Sequence, residues 1–294
     1  INTNGDTEIQ LSEANAFNGG INCSNLNISD LNGIEAFTSI NALYCLNNQL
    51  TSLDLTQNTL LTVLQCQSNQ LTSLDVNGPD SLNVLFCYEN QLISLDVSQN
   101  TALTELWCGY NQLTSLDVSQ NTALTFLKCE NNLITTLDVT QNTSLDQLYC
   151  GMNQITSINL SFAINLQVLK IYGNQLTNID LSQNTYLISL YCGGNQLINL
   201  DLSQISCSLQ INESGFAGNP NLNCVEVTDL TCWQNFNHFL DTTYQYYSTN
   251  CSGTISIKEH TTNKELLKVK DLLGRETKGK KNEPLFYIYD DGTV

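Results

Sequence analysis

The chain has 294 residues, with 28 acidic side chains against 10 basic ones, and 12 cysteines. Residues 1–251 hold only two basic groups, Lys128 and Lys170, against 21 acidic ones. So acidic a body repels phosphate backbones and anionic lipid surfaces, which argues against nucleic acid as a partner. No run of about 18 apolar residues occurs, so membrane insertion by a helix is not expected.

No signal peptide opens the chain; Ile1 reads as a mature or trimmed start. Residues 1–39 read as an N-terminal cap. A 12-residue window from Asn2 places Asn2, Asn4, Asp6, Glu8, Gln10 and Glu13 at the ligand positions of an EF-hand-like loop, with Ile9 at its apolar position. Asn2 stands where Asp is usual and Thr7 replaces the turn glycine, so the window predicts either a Ca2+ site or a polar capping turn without an ion. LSEANAF then predicts a short helix, and Ile21-Asn22-Cys23 a first, irregular strand.

From Ile40 to Cys207 the unit LTELWCGYNQLTSLDVSQNTA, read at Leu103–Ala123, recurs eight times with a period of 21 residues. Such a period signals a solenoid, in which each unit buries its apolar side chains only by stacking on its neighbours. Leucine at places 1 and 4 and cysteine at place 6 point inward; place 5 points outward, as strand alternation requires. Stacked units predict a parallel sheet. The cysteines Cys45, Cys66, Cys87, Cys108, Cys129, Cys150 and Cys192 form one inward column, interrupted by Ile171. In-register strands about 4.8 Å apart hold equivalent Cβ atoms too far apart for a disulfide. The column therefore predicts buried free thiols that pack as small hydrophobes.

Asparagine at place 9 (Asn48, Asn69, Asn90, Asn111, Asn132, Asn153, Asn174 and Asn195) predicts a buried amide bonding backbone groups at a corner. Aspartate at place 15 (Asp54, Asp75, Asp96, Asp117, Asp138, Asp180 and Asp201, with Asn159 once) predicts a turn on every coil. Backbone N–H groups or nearby Ser and Thr hydroxyls are expected to offset repulsion between stacked carboxylates.

The unit L-x-x-L-x-C-x-x-N-x-L resembles the leucine-rich repeat with cysteine in its third leucine place. Its length and cysteine column are similar to bacterial proteins of the internalin J type. That resemblance implies a right-handed superhelical leucine-rich repeat solenoid, with a parallel β-sheet on the concave face and a convex side of short extended or 3-10 segments. It also implies a surface protein engaged in adhesion or host interaction, although a shared scaffold does not transfer a ligand.

The repeats differ most at place 5, which reads Tyr44, Gln65, Phe86, Trp107, Lys128, Tyr149, Lys170 and Tyr191. Tyr88, Tyr110 and Tyr172 stand just beyond it. With the inward places already filled by Leu and Cys, these rings are expected to stand exposed on the concave face and to bind a partner. The bland alternative is that adjacent rings merely cover each other.

Residues 208–252 read as a last rung, with Phe216 at the cysteine place, and a C-terminal cap. A Cys224–Cys251 bridge is expected there, in an oxidising compartment, while the pairing of Cys207 and Cys232 stays open. From Gly253 the composition turns Lys-rich. DLLGR and PLFYIYDDGTV resemble the C-terminal sorting domain of type IX secretion substrates. That resemblance implies a small β module, here short of a final strand at Val294, that engages secretion machinery.

Catalysis is not expected. His238 and His260 lie in the cap and tail with no nucleophile motif nearby, and a repeat places like groups at every rung where an active site needs one asymmetric constellation. The expected function is a secreted or surface-displayed module that recognises a protein through its aromatic-lined concave face. The alternatives are a glycan-binding protein using the same stripe, and a structural surface spacer.

Overall fold

The computed structural model describes residues 8–206, 215–233, 246–251, 266–271 and 285–289. The chain divides into two compact units, residues 1–251 and 252–294.

The first unit is a β-solenoid. Among the described residues its main sheet has nine strands in chain order: β1 (Gly20–Asn22), β2 (Ala42–Tyr44), β3 (Val63–Gln65), β4 (Val84–Phe86), β5 (Glu105–Trp107), β6 (Phe126–Lys128), β7 (Gln147–Tyr149), β8 (Val168–Lys170) and β9 (Ser189–Tyr191). All neighbours are parallel, and from β2 onward each residue pairs with the one 21 places along, as Trp107 does with Phe86 and Lys128. Between β1 and β2 the offset is 22, Asn22 pairing with Tyr44, because one residue is inserted there.

Each strand is short because the alternation holds only from place 3 to the cysteine at place 6. The central leucine points inward and is fully buried in every coil from Leu43 to Leu190. The cysteine just beyond the strand is equally buried, as are Leu103, Leu113 and Val118 and their counterparts, so one continuous apolar core runs the length of the stack. A buried Leu contributes about 1.5–3 kcal/mol, and every coil supplies several. The seven cysteines of the column are free thiols, held in their neutral form by burial, which pushes Cys66 and Cys192 up to about 12. Cys23 extends the column at its half-buried end.

Two amide ladders hold the corners. In the first, Asn111 donates from Nδ2 to the carbonyls of Cys108 and Cys87, both at 3.1 Å, while its Oδ1 accepts the Leu92 N–H at 3.0 Å. The same bonds recur from Asn48 through Asn195, tying each coil to the preceding one. The second ladder stands on the opposite side, at place 19. Asn58, Asn100, Asn121, Asn142 and Asn184 are completely buried. Asn121, for example, donates to the Val97 and Asn100 carbonyls, both at 2.9 Å.

The place-15 carboxylates sit in local turns. Asp117 Oδ1 accepts the Ser119 N–H at 2.9 Å, and Asp138 takes both the Thr140 N–H and hydroxyl. Those bonds, backbone first, hold Asp96, Asp117, Asp138 and Asp180 below the usual carboxylate range. Helix is scarce among the described residues: α1 (Leu11–Ala16), α2 (Leu230–Trp233) and a 3-10 turn at Ile34–Ala36. None is long and apolar enough to cross a membrane.

A second parallel sheet, β10 (Leu200–Asp201), β11 (Cys224–Glu226) and β12 (Tyr246–Ser248), builds the C-terminal end of this unit. Phe216 takes the cysteine place there, fully buried, and Asn219 repeats the corner amide by accepting the Leu197 N–H. Cys224 and Cys251 form a disulfide, their Cα atoms 5.7 Å apart. Cys207, His238, His260 and the Cys232 side chain lie outside the described residues. The second unit shows one antiparallel pair, β13 (Leu266–Asp271) with β14 (Leu285–Tyr289). Most of the DLLGR segment lies outside the described residues.

Candidate functional site

The outer face of the main sheet carries the side chains of places 3 and 5, which are half-buried while the leucine between them is buried. In-register strands about 4.8 Å apart bring place-5 side chains within stacking distance of one another. Phe86 lies flat on Trp107, with ring centroids 4.2 Å apart and planes 18° apart. The Lys128 ammonium covers Trp107 at 4.0 Å from the ring centroid and Tyr149 at 4.8 Å. Lys170 in turn lies 4.9 Å from Tyr149 and 5.3 Å from Tyr191. The two lysines, the only basic residues in 1–251, therefore sit in one aromatic column.

This corrects one expectation. The rings do not stand exposed: Phe86, Trp107, Tyr149, Tyr172 and Tyr191 are half-buried, because each covers its neighbour. Tyr110 is the exception, 51% exposed. Tyr44 stands apart from the stack, since Gln65 separates it from Phe86.

Phe126, Glu130, Gly109 and Gly151 were not legible as site residues. Phe126, at place 3, packs against both Trp107 and Tyr149 at 5.3 Å. At place 7, glycines alternate with large side chains: Tyr88, Gly109, Glu130, Gly151, Tyr172, Gly193. Tyr172 settles over the glycine one coil earlier, so a Cβ on Gly151 would come within 2.6 Å of its ring. Glu130 lies over Gly109 in the same way; a Cβ there would meet its backbone oxygen at 3.0 Å and its Oε2 at 3.3 Å. Burial raises the Glu130 carboxyl above its usual range, with Lys128 and Lys170 opposing, and lowers the Lys128 ammonium below its own.

At place 8 the backbone is left-handed in every coil from Asn47 to Gly194, with φ between +52° and +64°. Non-glycine residues adopt this conformation at a cost of about 1 kcal/mol, as Ser68, Glu89, Tyr110 and Met152 do.

The N-terminal window is only partly described. Asn2, Asn4 and Asp6 lie outside the described residues. Glu8 is exposed, and Glu13 Oε2 accepts the Gln10 N–H at 3.1 Å in a capping box that opens α1. Among the described residues no three His, Cys, Asp or Glu side chains gather as a metal site.

Neither a protein-family model nor a curated protein matches the chain. Solved structures do. A leucine-rich repeat protein of Leptospira interrogans superposes with a TM-score of 0.56 at 24% identity, over 75% of this chain and 57% of that one. The leucine-rich repeat domain of APL1 gives 0.59 at 22% identity, over 74% and 65%. The fold is a leucine-rich repeat solenoid. The functional domain of InlJ from Listeria monocytogenes, described as including a cysteine ladder, is 32% identical over 75% of this chain and 61% of its own, with a TM-score of 0.47. The chain spans less than two thirds of the length of each of these three proteins. Bacterial leucine-rich repeat proteins, an internalin of Listeria monocytogenes with a TM-score of 0.50 at 19% identity among them, are thus its structural neighbours.

Proposed function

We propose that this leucine-rich repeat solenoid is a non-enzymatic protein-recognition module of the adhesive kind, secreted or displayed at the cell surface. The observation that carries this reading is the aromatic and lysine column from Phe86 to Tyr191. Along a scaffold whose inward places barely change, no two adjacent coils carry the same side chain at place 5 of the outer face. Rigid, half-buried aromatic side chains with little rotamer entropy left to lose suit the anchors of a protein interface. The internalin-type neighbours support the same reading by analogy of scaffold. The Cys224–Cys251 bridge fits an oxidising compartment. The resemblance of residues 253–294 to a sorting domain supplies the route: deleting them should leave the protein in the periplasm.

The test is capture of surface proteins from neighbouring or host cells by wild type and by the Phe86→Ala, Trp107→Ala, Tyr149→Ala triple variant. Wild type should retain a partner that the variant loses by at least about 100-fold, as removal of hot-spot side chains does. Undiminished capture by a variant that still unfolds cooperatively would remove the outer face from the function.

A further inference from the structure

The turns opposite the main sheet repeat almost as strictly as its strands. Places 17 to 20 read Ser-Gln-Asn-Thr or Thr-Gln-Asn-Thr at 56–59, 98–101, 119–122, 140–143 and 182–185. Where the turn departs at 77–80 and 203–206, its exposed members stay polar. Residues 161–164 break the rule differently, reading Ser-Phe-Ala-Ile. Phe162 and Ile164 stand in water, 54% and 51% exposed, and Tyr186 at place 21 of the next coil is 66% exposed. That coil lies directly against theirs, since Asn184 donates to the Ala163 carbonyl at 2.8 Å.

Two further changes fall on the same coil, and the stack needs neither. Asn159 stands where other coils carry Asp. Its Oδ1 accepts the Ser161 N–H at 3.1 Å and hydroxyl at 2.8 Å, as Asp138 does with Thr140, so the turn is kept and only the charge is gone. Ala163 replaces the amide of the second ladder. In the coil before, Asn142 donates to the Val118 and Asn121 carbonyls; the buried Ala163 methyl has nothing to donate, so that tie to the preceding coil is missing here. A turn that gives up a charge and a cross-coil bond, and holds two large apolar side chains in water, is a local break of the kind found at functional sites.

The surroundings choose what covers it. Together the three side chains leave about 300 Å2 of surface in water, the size of patch that marks interaction sites. Asp138 and Asp180 stand exposed at place 15, one coil to either side of Asn159. Two strand spacings, about 10 Å, separate them along the stack. The basic groups of residues 1–251, Lys128 and Lys170, lie instead in the aromatic column of the sheet. A second copy of this chain would set its own carboxylates against these, and two such patches bury only about 600 Å2 against the roughly 1,200 Å2 of a stable interface. An anionic membrane is repelled in the same way. A protein segment with an apolar centre and a Lys or Arg on either side meets both the rings and the carboxylates.

We propose that Phe162, Ile164 and Tyr186 form a second docking surface, which takes a segment of another protein with an apolar centre flanked by basic side chains. This surface is independent of the outer face of the sheet.

The experiment titrates the full chain with three capped peptides, Lys-Leu-Phe-Leu-Lys, Glu-Leu-Phe-Leu-Glu and Lys-Ser-Gly-Ser-Lys, read by saturation-transfer NMR. The first should saturate in the millimolar range or below, and the other two should bind at least about tenfold more weakly. The double variant Phe162→Gln, Ile164→Thr restores what the neighbouring coils carry. It should melt no lower than wild type and lose at least about tenfold in affinity for the first peptide. Asp180→Asn, which keeps the turn as Asn159 does, should weaken binding and flatten its salt dependence. The Phe86→Ala, Trp107→Ala, Tyr149→Ala triple variant should bind the peptide as wild type does, which separates this surface from the outer face. If the first peptide does not saturate, or binds the double variant undiminished, the proposal is wrong. Equal binding of the Glu-flanked peptide overturns the assigned chemistry, and loss in the triple variant alone moves the peptide to the sheet and overturns the site. A dimer in sedimentation that the double variant lacks would give the patch to a second copy and equally overturn the proposal.

Discussion

Asn132 pairs three buried backbone groups at once. Its Oδ1 takes the Leu113 N–H at 2.9 Å, and its Nδ2 reaches the Cys108 and Cys129 carbonyls, each at 3.1 Å. Asn121, in the second ladder, pairs two carbonyls, and its Oδ1 has no partner. Stranding a buried backbone group costs about 1–3 kcal/mol. Asn132→Ala strands the Leu113 N–H, while the Cys108 and Cys129 carbonyls keep the amides of Asn111 and Asn153. Asn121→Ala strands no backbone group, because the Val97 and Asn100 carbonyls keep the Asn100 and Leu103 N–H groups, and it removes an amide oxygen that was itself unsatisfied. Urea unfolding should therefore show Asn132→Ala to be the more damaging change by about 1–2 kcal/mol. Equal losses would mean that the Leu113 N–H finds water instead. The first ladder was legible because an amide recurring beside a strand end has an evident task at a corner. The second recurs as visibly, but among Gln, Thr and Ser, away from any strand end, nothing in one unit gives its amide a task.

Across a single coil, the strand, the cysteine rung and the two corners act as one element, and their order follows from the period. The rung is narrow and apolar. Cys108→Ser puts a hydroxyl where a thiol is fully buried, and should cost about 2 kcal/mol, more than Cys108→Ala, which leaves only a small void. In the native state the seven buried column thiols should resist an aromatic disulfide reagent and should all react once urea is added. A count showing them already oxidised would contradict the geometry. What the repeat pattern hid is whatever depends on two adjacent coils differing. Gly109 and Gly151 matter because Glu130 and Tyr172 lie on them, and no inspection of place 7 within one unit reveals that. Phe126 was missed for the same reason: it occupies a place that elsewhere holds Ala, Val, Glu, Gln or Ser. The rings cover one another, as the alternative reading of the stripe had it, because strands about 4.8 Å apart bring adjacent side chains within stacking distance.

Over the whole molecule, the ladders of titrating groups set the pH window of stability. The column thiols have folded-state values raised by burial, so their contribution is fully present below the unfolded thiol value of about 8.5. It fades as pH rises from there toward the folded values, about 12 for Cys66 and Cys192 and higher for Cys45 and Cys108. Each thiol removes about 1.4 kcal/mol per pH unit across that range, and the seven act together. The urea midpoint should therefore fall steeply above pH about 9, with unfolding at pH about 10 releasing about seven protons in a pH-stat. The turn carboxylates work in the opposite sense. Their folded-state values are depressed, so their contribution is present above the unfolded carboxylate value of about 3.9 and is lost only as pH falls through the lower, folded ones. A midpoint that stays flat between pH about 9 and about 11 would mean the thiols are reached by solvent. Every coil also docks on the last through the same in-register strand pairing and, at places 6 and 9, the same bonds. At place 5 the scaffold is thus indifferent to which residue it carries, and units are interchangeable parts wherever the place-7 glycines keep their partners. Slippage during copying of the repeated DNA would insert or drop a whole coil without breaking the stack. The outer face would then be respelled one letter at a time, and its vocabulary would evolve by editing length as readily as by point mutation.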